Sequence, residues 1–202
     1  MYLYDQTLFQ PLDLSVDNQD LSHYDLTKSS ELARYIDSTK PATGNALLVG
    51  GYLEQRAIYQ RSPHFTESSS VRNIHLGLDI WAAAGSDVPA IADGTIHSYA
   101  DNKGLGNYGP TIIIHHHDLK IYSLYGHLSR ASLDNLSVGE SVTRGQIIGT
   151  LGDASVNGDY PPHLHLQIMR DLGKWSGDYP GVTSLDDLAY YEANCPDPMG
   201  YL

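Results

Sequence analysis

The stretch GPTIIIHHHDLKIYSLYGHL, residues 109–128, decides the fold class. Two runs within it, GPTIIIHHH at 109–117 and KIYSLYGHL at 120–128, are short and rich in aliphatic, β-branched and aromatic side chains. Working outward, VPAIADGTIHSYA at 88–100 and GQIIGTLG at 145–152 repeat the pattern between glycine-rich turns. Such side chains fit a pleated, half-buried surface, and short runs at this spacing fit many strands joined by tight connections. The expectation is an all-β core over about residues 71–170, with no long amphipathic helix inside it. Asp93-Gly94 and Val138-Gly139 read as tight turns, because glycine accepts the positive φ that such turns often need.

The flanks differ from this core. Residues 1–45 are polar and acidic and are expected to form an N-terminal extension with one short helix around Ser29–Ser38. Ser30 could cap that helix, and Leu32, Tyr35 and Ile36 supply an apolar stripe. PATGN, Pro41–Asn45, reads as a turn before the apolar run Ala46–Val49, which opens a second unit spanning 46–202. Within that unit the motif-bearing core is 71–170, and 171–202 reads as a surface tail with one helical segment at Leu185–Tyr191.

Twelve basic against twenty-four acidic residues give a net charge of −12. That balance repels nucleic-acid phosphates and anionic headgroups, so no nucleic-acid partner is expected. Cys195 is the only cysteine, which excludes an intrachain disulfide, a thiolate metal cluster and a CxxC redox pair. The first twenty residues lack the basic start and apolar stretch of a secretory signal, and no run reaches eighteen apolar residues. The sequence as it stands therefore reads as cytoplasmic and not membrane-inserted; it would read as extracytoplasmic if a leader had been trimmed. It leaves the oligomeric state open.

Five residues carry the chemistry: His75 and Asp79 in HLGLD, His127 in YGHL, and His163 and His165 in HLHL. Imidazole nitrogens and a carboxylate suit a borderline metal such as Zn²⁺, and three protein ligands leave a fourth tetrahedral position open. His163 and His165 are two apart, so on a strand they share one face while Leu164 and Leu166 take the other. Pro161-Pro162 suits a rigid loop that starts the strand at His163. On a straight strand the Cα atoms of His75 and Asp79 would lie roughly 13 Å apart at about 3.3 Å per residue, so Gly77 is expected to permit a bend or bulge.

The run His115–His117 is the most conspicuous, yet it follows Ile112–Ile114 and precedes Asp118, as a strand does on entering a turn. His116 and His117 read as a solvated strand end, and His115 has the further option of facing the cleft. His23, His64 and His97 lack ligand-like companions and read as structural or exposed. Tyr125, two before His127, reads first as packing and second as a cleft residue.

At these motifs the chain resembles the lysostaphin-type (LytM-like) zinc metalloendopeptidases, many of which cut peptide cross-links in peptidoglycan. HLGLD resembles the family's HxGxD element, YGHL its YxHL element and PPHLHLQ its GPHLHFE element, in that order. The likeness covers about residues 71–170. It implies a compact antiparallel β-sheet domain of the duplicated-hybrid kind, a Zn²⁺ cofactor held by His75, Asp79 and His165, and His127 and His163 as catalytic histidines. It also implies hydrolysis of peptide amides by metal-activated water, with a peptidoglycan-like or other small peptide as substrate. The lead-in GDASVNGDYPPHLHLQ at 152–167 departs from the glycine- and serine-rich family pattern, so the loop beside the cleft is expected to differ in shape. The sequence leaves two alternatives: a catalytically silent metal-binding regulatory domain, and a metal-dependent amidase acting on a small metabolite.

Overall fold

The computed structural model describes residues 2–41, 46–62, 65 and 70–202. The turn expected at Pro41–Asn45 and the reading of His64 therefore lie outside the described residues, the former for all but Pro41. The strands in chain order are β1 (Phe9–Leu12), β2 (Leu47–Gly50), β3 (Ile74–His75), β4 (Leu78–Trp81), β5 (Asp87–Pro89) and β6 (Gly94–Asn102). They continue with β7 (Gly109–His116), β8 (Ile121–Gly126), β9 (Ser141–Val142), β10 (Ile147–Thr150), β11 (His163–Met169) and β12 (Val182–Thr183). Eight of them form one sheet in the order β1-β2-β4-β11-β8-β7-β6-β9, antiparallel except for the β1–β2 pair. Two short ladders, β5–β10 and β3–β12, complete an all-β core.

Alternation along the central strands gives the sheet two unlike faces. Leu164, Leu166 and Ile168 of β11 join Tyr125 of β8 and Ile112 and Ile114 of β7 in the main apolar core. Burying each such side chain contributes about 1.5–3 kcal/mol, which makes this face the principal source of stability. The other face carries His163, His165, Gln167 and Met169, and the ladder places His165 opposite both Asp79 and Gly126. Tyr125 belongs to the core, where its hydroxyl accepts from the Ile91 amide at 3.0 Å. A period of two thus puts the packing on one side of β11 and the polar groups on the other.

The described residues of the N-terminal segment, 2–41, contribute to the sheet and to two apolar clusters. β1 pairs in parallel with β2 through Phe9↔Leu47 to Leu12↔Gly50, and Leu3 and Tyr4 pack in the main core. The helix spans Ser29–Thr39, one residue longer than expected, with Lys28 rather than Ser30 at its N-cap and no side-chain cap bond. Its Leu32, Tyr35 and Ile36 are buried as the stripe predicts, in a second apolar cluster that includes Trp81 and Tyr160. Residues 171–202 likewise do more than cover a surface: Leu172, Tyr179 and Cys195 form a third cluster with Met169 and Leu124, and β12 pairs with β3. The helical segment near the end spans Leu188–Asn194, three residues later than expected.

Two local expectations change. Gly139 has φ +86° and turns the chain as anticipated. Gly94 instead begins β6 and is required by proximity, since a Cβ there would stand 2.5 Å from the His115 carbonyl oxygen. His116 is fully buried rather than solvated: Nδ1 donates to the Asp93 carbonyl at 2.8 Å, and Nε2 pairs with Ser123 Oγ at 2.6 Å. It points into the core face of β7, so the alternation that buries Ile112 and Ile114 also buries it. His117 is exposed, and His115 stacks on Tyr122, with ring centroids 4.4 Å apart, on the same sheet face as His165.

Candidate metal centre and active site

HLGLD does not run as one strand. The ladder breaks between β3 and β4, and the bend brings His75 Nε2 to 3.2 Å from Asp79 Oδ1 despite their four-residue spacing. Gly77 sits at the break because the His165 ring lies against it; a Cβ there would be 2.6 Å from His165 Cε1 and Nε2. From the facing strand, His165 Nδ1 lies 3.2 Å from Asp79 Oδ1 and 2.9 Å from His75 Nε2.

These three atoms form a triangle whose outer hydrogen bonds fix which nitrogens face inward. His75 Nδ1 donates to the Gly51 carbonyl at 2.9 Å, leaving Nε2 as a lone pair. Gln167 donates through Nε2 to the Pro180 carbonyl at 3.1 Å, so its Oε1 is the end that accepts from His165 Nε2 at 3.0 Å. His165 therefore presents the lone pair of Nδ1. Lone pairs at 2.9 Å repel unless a cation lies between them. The edges of 2.9–3.2 Å are close to the roughly 3.3 Å separating ligand atoms in a tetrahedron with bonds of about 2.0–2.1 Å. The donor set, its inward lone pairs and its size fit a divalent metal, and carbonyl or amide acceptors on the outer ring nitrogens are the usual support for such ligands.

His127 and His163 stand beside the triangle with the same polarity. His127 Nδ1 donates to the Asn157 carbonyl at 2.8 Å and His163 Nδ1 to the Pro161 carbonyl at 2.7 Å, so Nε2 of each is free to accept. The two rings are 4.3 Å apart, and His163 Nε2 lies 3.8 Å from Asp79 Oδ1. His163 stacks on Trp81. His127 has φ +61°, an uncommon conformation for a non-glycine residue that costs about 1–3 kcal/mol. Its amide donates to the Tyr108 carbonyl and its carbonyl accepts from Gly152, both at 2.9 Å, which holds the strained residue against the pocket.

All five residues are between 1% and 5% exposed. Burial, followed by the nearby Arg56 charge, lowers the His75 pKa to about 4. Burial also lowers His127, well below the ordinary imidazole range, and His163, each aided by neighbouring histidines. Burial works against ionisation of Asp79, but its electrostatic interactions with His75, Arg56 and His163 and the hydrogen bond with His165 hold its carboxyl well below the usual range. Near neutral pH the Asp79 carboxylate therefore stands beside neutral imidazoles at His75, His127 and His163.

Three further residues complete the site. Arg56 is buried between Glu54 and Asp79, with Nε and Nη1 each 2.5 Å from a carboxylate oxygen. Gln167 aligns His165 as described, and its spacing of two on one strand was a usable sequence signal. Tyr108 brings its hydroxyl to 3.4 Å from His165 Nε2. Nothing in the sequence separated Arg56 or Tyr108 from other arginines and tyrosines.

The model of Peptidase family M23 matches residues 73–176. The L-Ala--D-Glu endopeptidase of Bacillus subtilis is 30% identical over 127 residues, covering 59% of this chain and 37% of that protein. The peptidoglycan DD-endopeptidase ShyC of Vibrio cholerae is 36% identical over 96 residues, covering 47% and 20%. The chain thus spans well under half the length of these curated relatives. Among solved structures, the catalytic domain of lysostaphin from Staphylococcus simulans matches with 30% identity and a TM-score of 0.41, over 59% of this chain and 80% of that one. With the match spanning just over half of the sequence, this chain belongs to peptidase family M23.

Proposed function

We propose that this protein is a zinc-dependent peptidase that hydrolyses peptide amides, with a peptidoglycan-type or other small peptide as substrate. The observation that carries this reading is the convergence of lone pairs from His75 Nε2, His165 Nδ1 and Asp79 Oδ1, with the accepting nitrogens of His127 and His163 alongside. In this reading His75, Asp79 and His165 hold the metal.

When bound, zinc supplies Lewis acidity, which lowers the pKa of water to about 7 and polarises a carbonyl. The protein supplies the rest. Burial keeps His127 and His163 neutral near pH 7, so Nε2 of either accepts a proton from the nucleophile and returns it to the leaving amine. General acid–base catalysis of this kind contributes on the order of 10²–10⁴-fold. Hydrogen bonds from Nδ1 to Asn157 and Pro161 stabilise each ring as it takes up that proton. Arg56 engages Asp79 Oδ2 and leaves Oδ1 turned toward the histidines.

Metal analysis of the purified protein is expected to find about one zinc per chain. His165→Ala is expected to lose the metal, and His127→Ala to keep it while losing hydrolysis of peptidoglycan fragments and short peptides. Undiminished hydrolysis by both variants would overturn the assignment.

A further inference from the structure

Asp178, in the connection between β11 and β12, lines the same pocket as His75, Asp79 and His165. Its backbone is held from both sides. The Gly177 amide donates to Ser98 Oγ at 2.8 Å and the Gly177 carbonyl accepts from Asn102 Nδ2 at 2.8 Å, which ties the preceding residue to β6. Gly177 has φ +69°, and a Cβ there would stand 2.7 Å from Ala100 Cβ, so glycine suits this anchor. On the other side, the Pro180 carbonyl accepts from Gln167 at 3.1 Å and the Gly181 carbonyl from the Leu76 amide at 2.9 Å. Gly181 packs on the Tyr108 hydroxyl, which lies 3.4 Å from His165 Nε2. Three residues of chain span at most about 11 Å, so Asp178 stands within the length of a short peptide from the candidate ligands.

The Asp178 side chain is oriented locally, with Oδ1 accepting the Tyr179 amide at 2.8 Å. Among the described residues, Oδ2 has no hydrogen-bond partner and no cation stands within ion-pair distance. Asp79, by contrast, is answered by Arg56. Burial pushes the Asp178 carboxyl up, outweighing the Tyr179 amide and the charge of Arg72, so the carboxylate is desolvated without full compensation. A half-buried carboxylate on a pinned backbone suits a cationic group brought by the substrate, and the net charge of −12 favours the approach of cations. With Oδ1 engaged, one oxygen is left to accept. That suits a compact ammonium, whereas a guanidinium binds best to both oxygens at once.

Resting on the peptidase reading above, we propose that Asp178 is a specificity-determining residue that receives a primary ammonium group of the peptide substrate through Oδ2. The substrate class is then amine-bearing peptides, with the amine on a side chain near the scissile bond. A carboxylate already held in place adds binding for such peptides over neutral ones of the same length.

The test uses N-acetylated, C-amidated penta-alanine peptides with lysine, norleucine, ε-acetyllysine or arginine placed at each position in turn. Binding to the zinc-loaded protein is measured by calorimetry, and hydrolysis is followed by mass spectrometry. At one position or more, lysine is expected to bind at least about tenfold tighter than norleucine or ε-acetyllysine, with arginine between them. Asp178→Asn keeps an acceptor for the Tyr179 amide but no charge. In that variant, with zinc content and circular dichroism matching the wild type, the lysine preference is expected to fall to about twofold or less. Absence of a lysine preference at every position overturns the proposal, as does an undiminished preference in folded Asp178→Asn. The comparison among peptides is made on the unaltered protein, so it decides the matter whether or not the variant folds. A lysine preference in binding without hydrolysis of any peptide supports the amine site and counts against the peptidase reading instead.

Discussion

Arg56 Nη1 lies 2.5 Å from Asp79 Oδ2, while Asp79 Oδ1 faces His75 and His165. One carboxylate is therefore divided between a guanidinium and a metal-sized gap. Glu54, which holds Arg56 through its Oε2, also accepts the Leu14 amide through Oε1 at 3.0 Å. A continuous polar chain runs from the N-terminal segment to the candidate metal centre.

Arg56→Gln leaves buried Asp79 and partly buried Glu54 without their cation. Removing one partner of a buried ion pair costs about 3–5 kcal/mol, so urea denaturation of this variant should show a loss of that order. A loss below about 1 kcal/mol, the range of exposed pairs, would show that the contact is energetically idle.

Gly77→Ala places a Cβ 2.6 Å from the His165 ring and 2.8 Å from the Leu166 carbonyl. The backbone cannot yield cheaply, so the ring must move and the triangle opens. The expected result is at least tenfold weaker zinc binding in a chelator competition, with about 1–3 kcal/mol lost in stability. Wild-type zinc affinity in this variant would rule out the close approach.

Stability of the metal-free protein should depend on pH in a defined direction. His75 has its pKa lowered from 6.5 to about 4 by burial and then by Arg56, and burial lowers His127 and His163 as well. Between these limits the unfolded chain binds more protons than the folded one, so stability rises with pH. It is fully present above about pH 6.5 and is lost as pH falls toward the folded value of about 4. Thermal melts of chelator-treated protein should show Tm falling across that window; a flat or rising Tm would contradict the burial of neutral histidines.

The histidine run shows where sequence reading stopped. Nothing within HHH separates His116 from His117, because burial at a strand end depends on where the strand stops and on what stands beneath it. Here Asp93 and Ser123, distant in sequence, receive both ring nitrogens of His116. FQPL at 9–12 was hidden for a related reason: four residues in a polar segment carry little periodicity, and their place is set by pairing with Leu47–Gly50. The tail was hidden by its turn formers, although Tyr179 and Cys195 are buried against Met169.

The sequence by itself determined the all-β core, the two faces of HLHL and the bend at Gly77, because strand periodicity and backbone permissiveness are local properties. The order of the three motifs identified the family. Only the tertiary structure decided that Arg56 orients a candidate ligand, that His116 is a core residue, and that the N-terminal segment lines the pocket. Those outcomes depend on contacts between residues far apart in the chain, 23 positions for Arg56 and Asp79 and 130 for Ser29 and Asp159. Their energies come from burial and from the pairing of buried polar groups, which exist only once the sheet has brought the partners together.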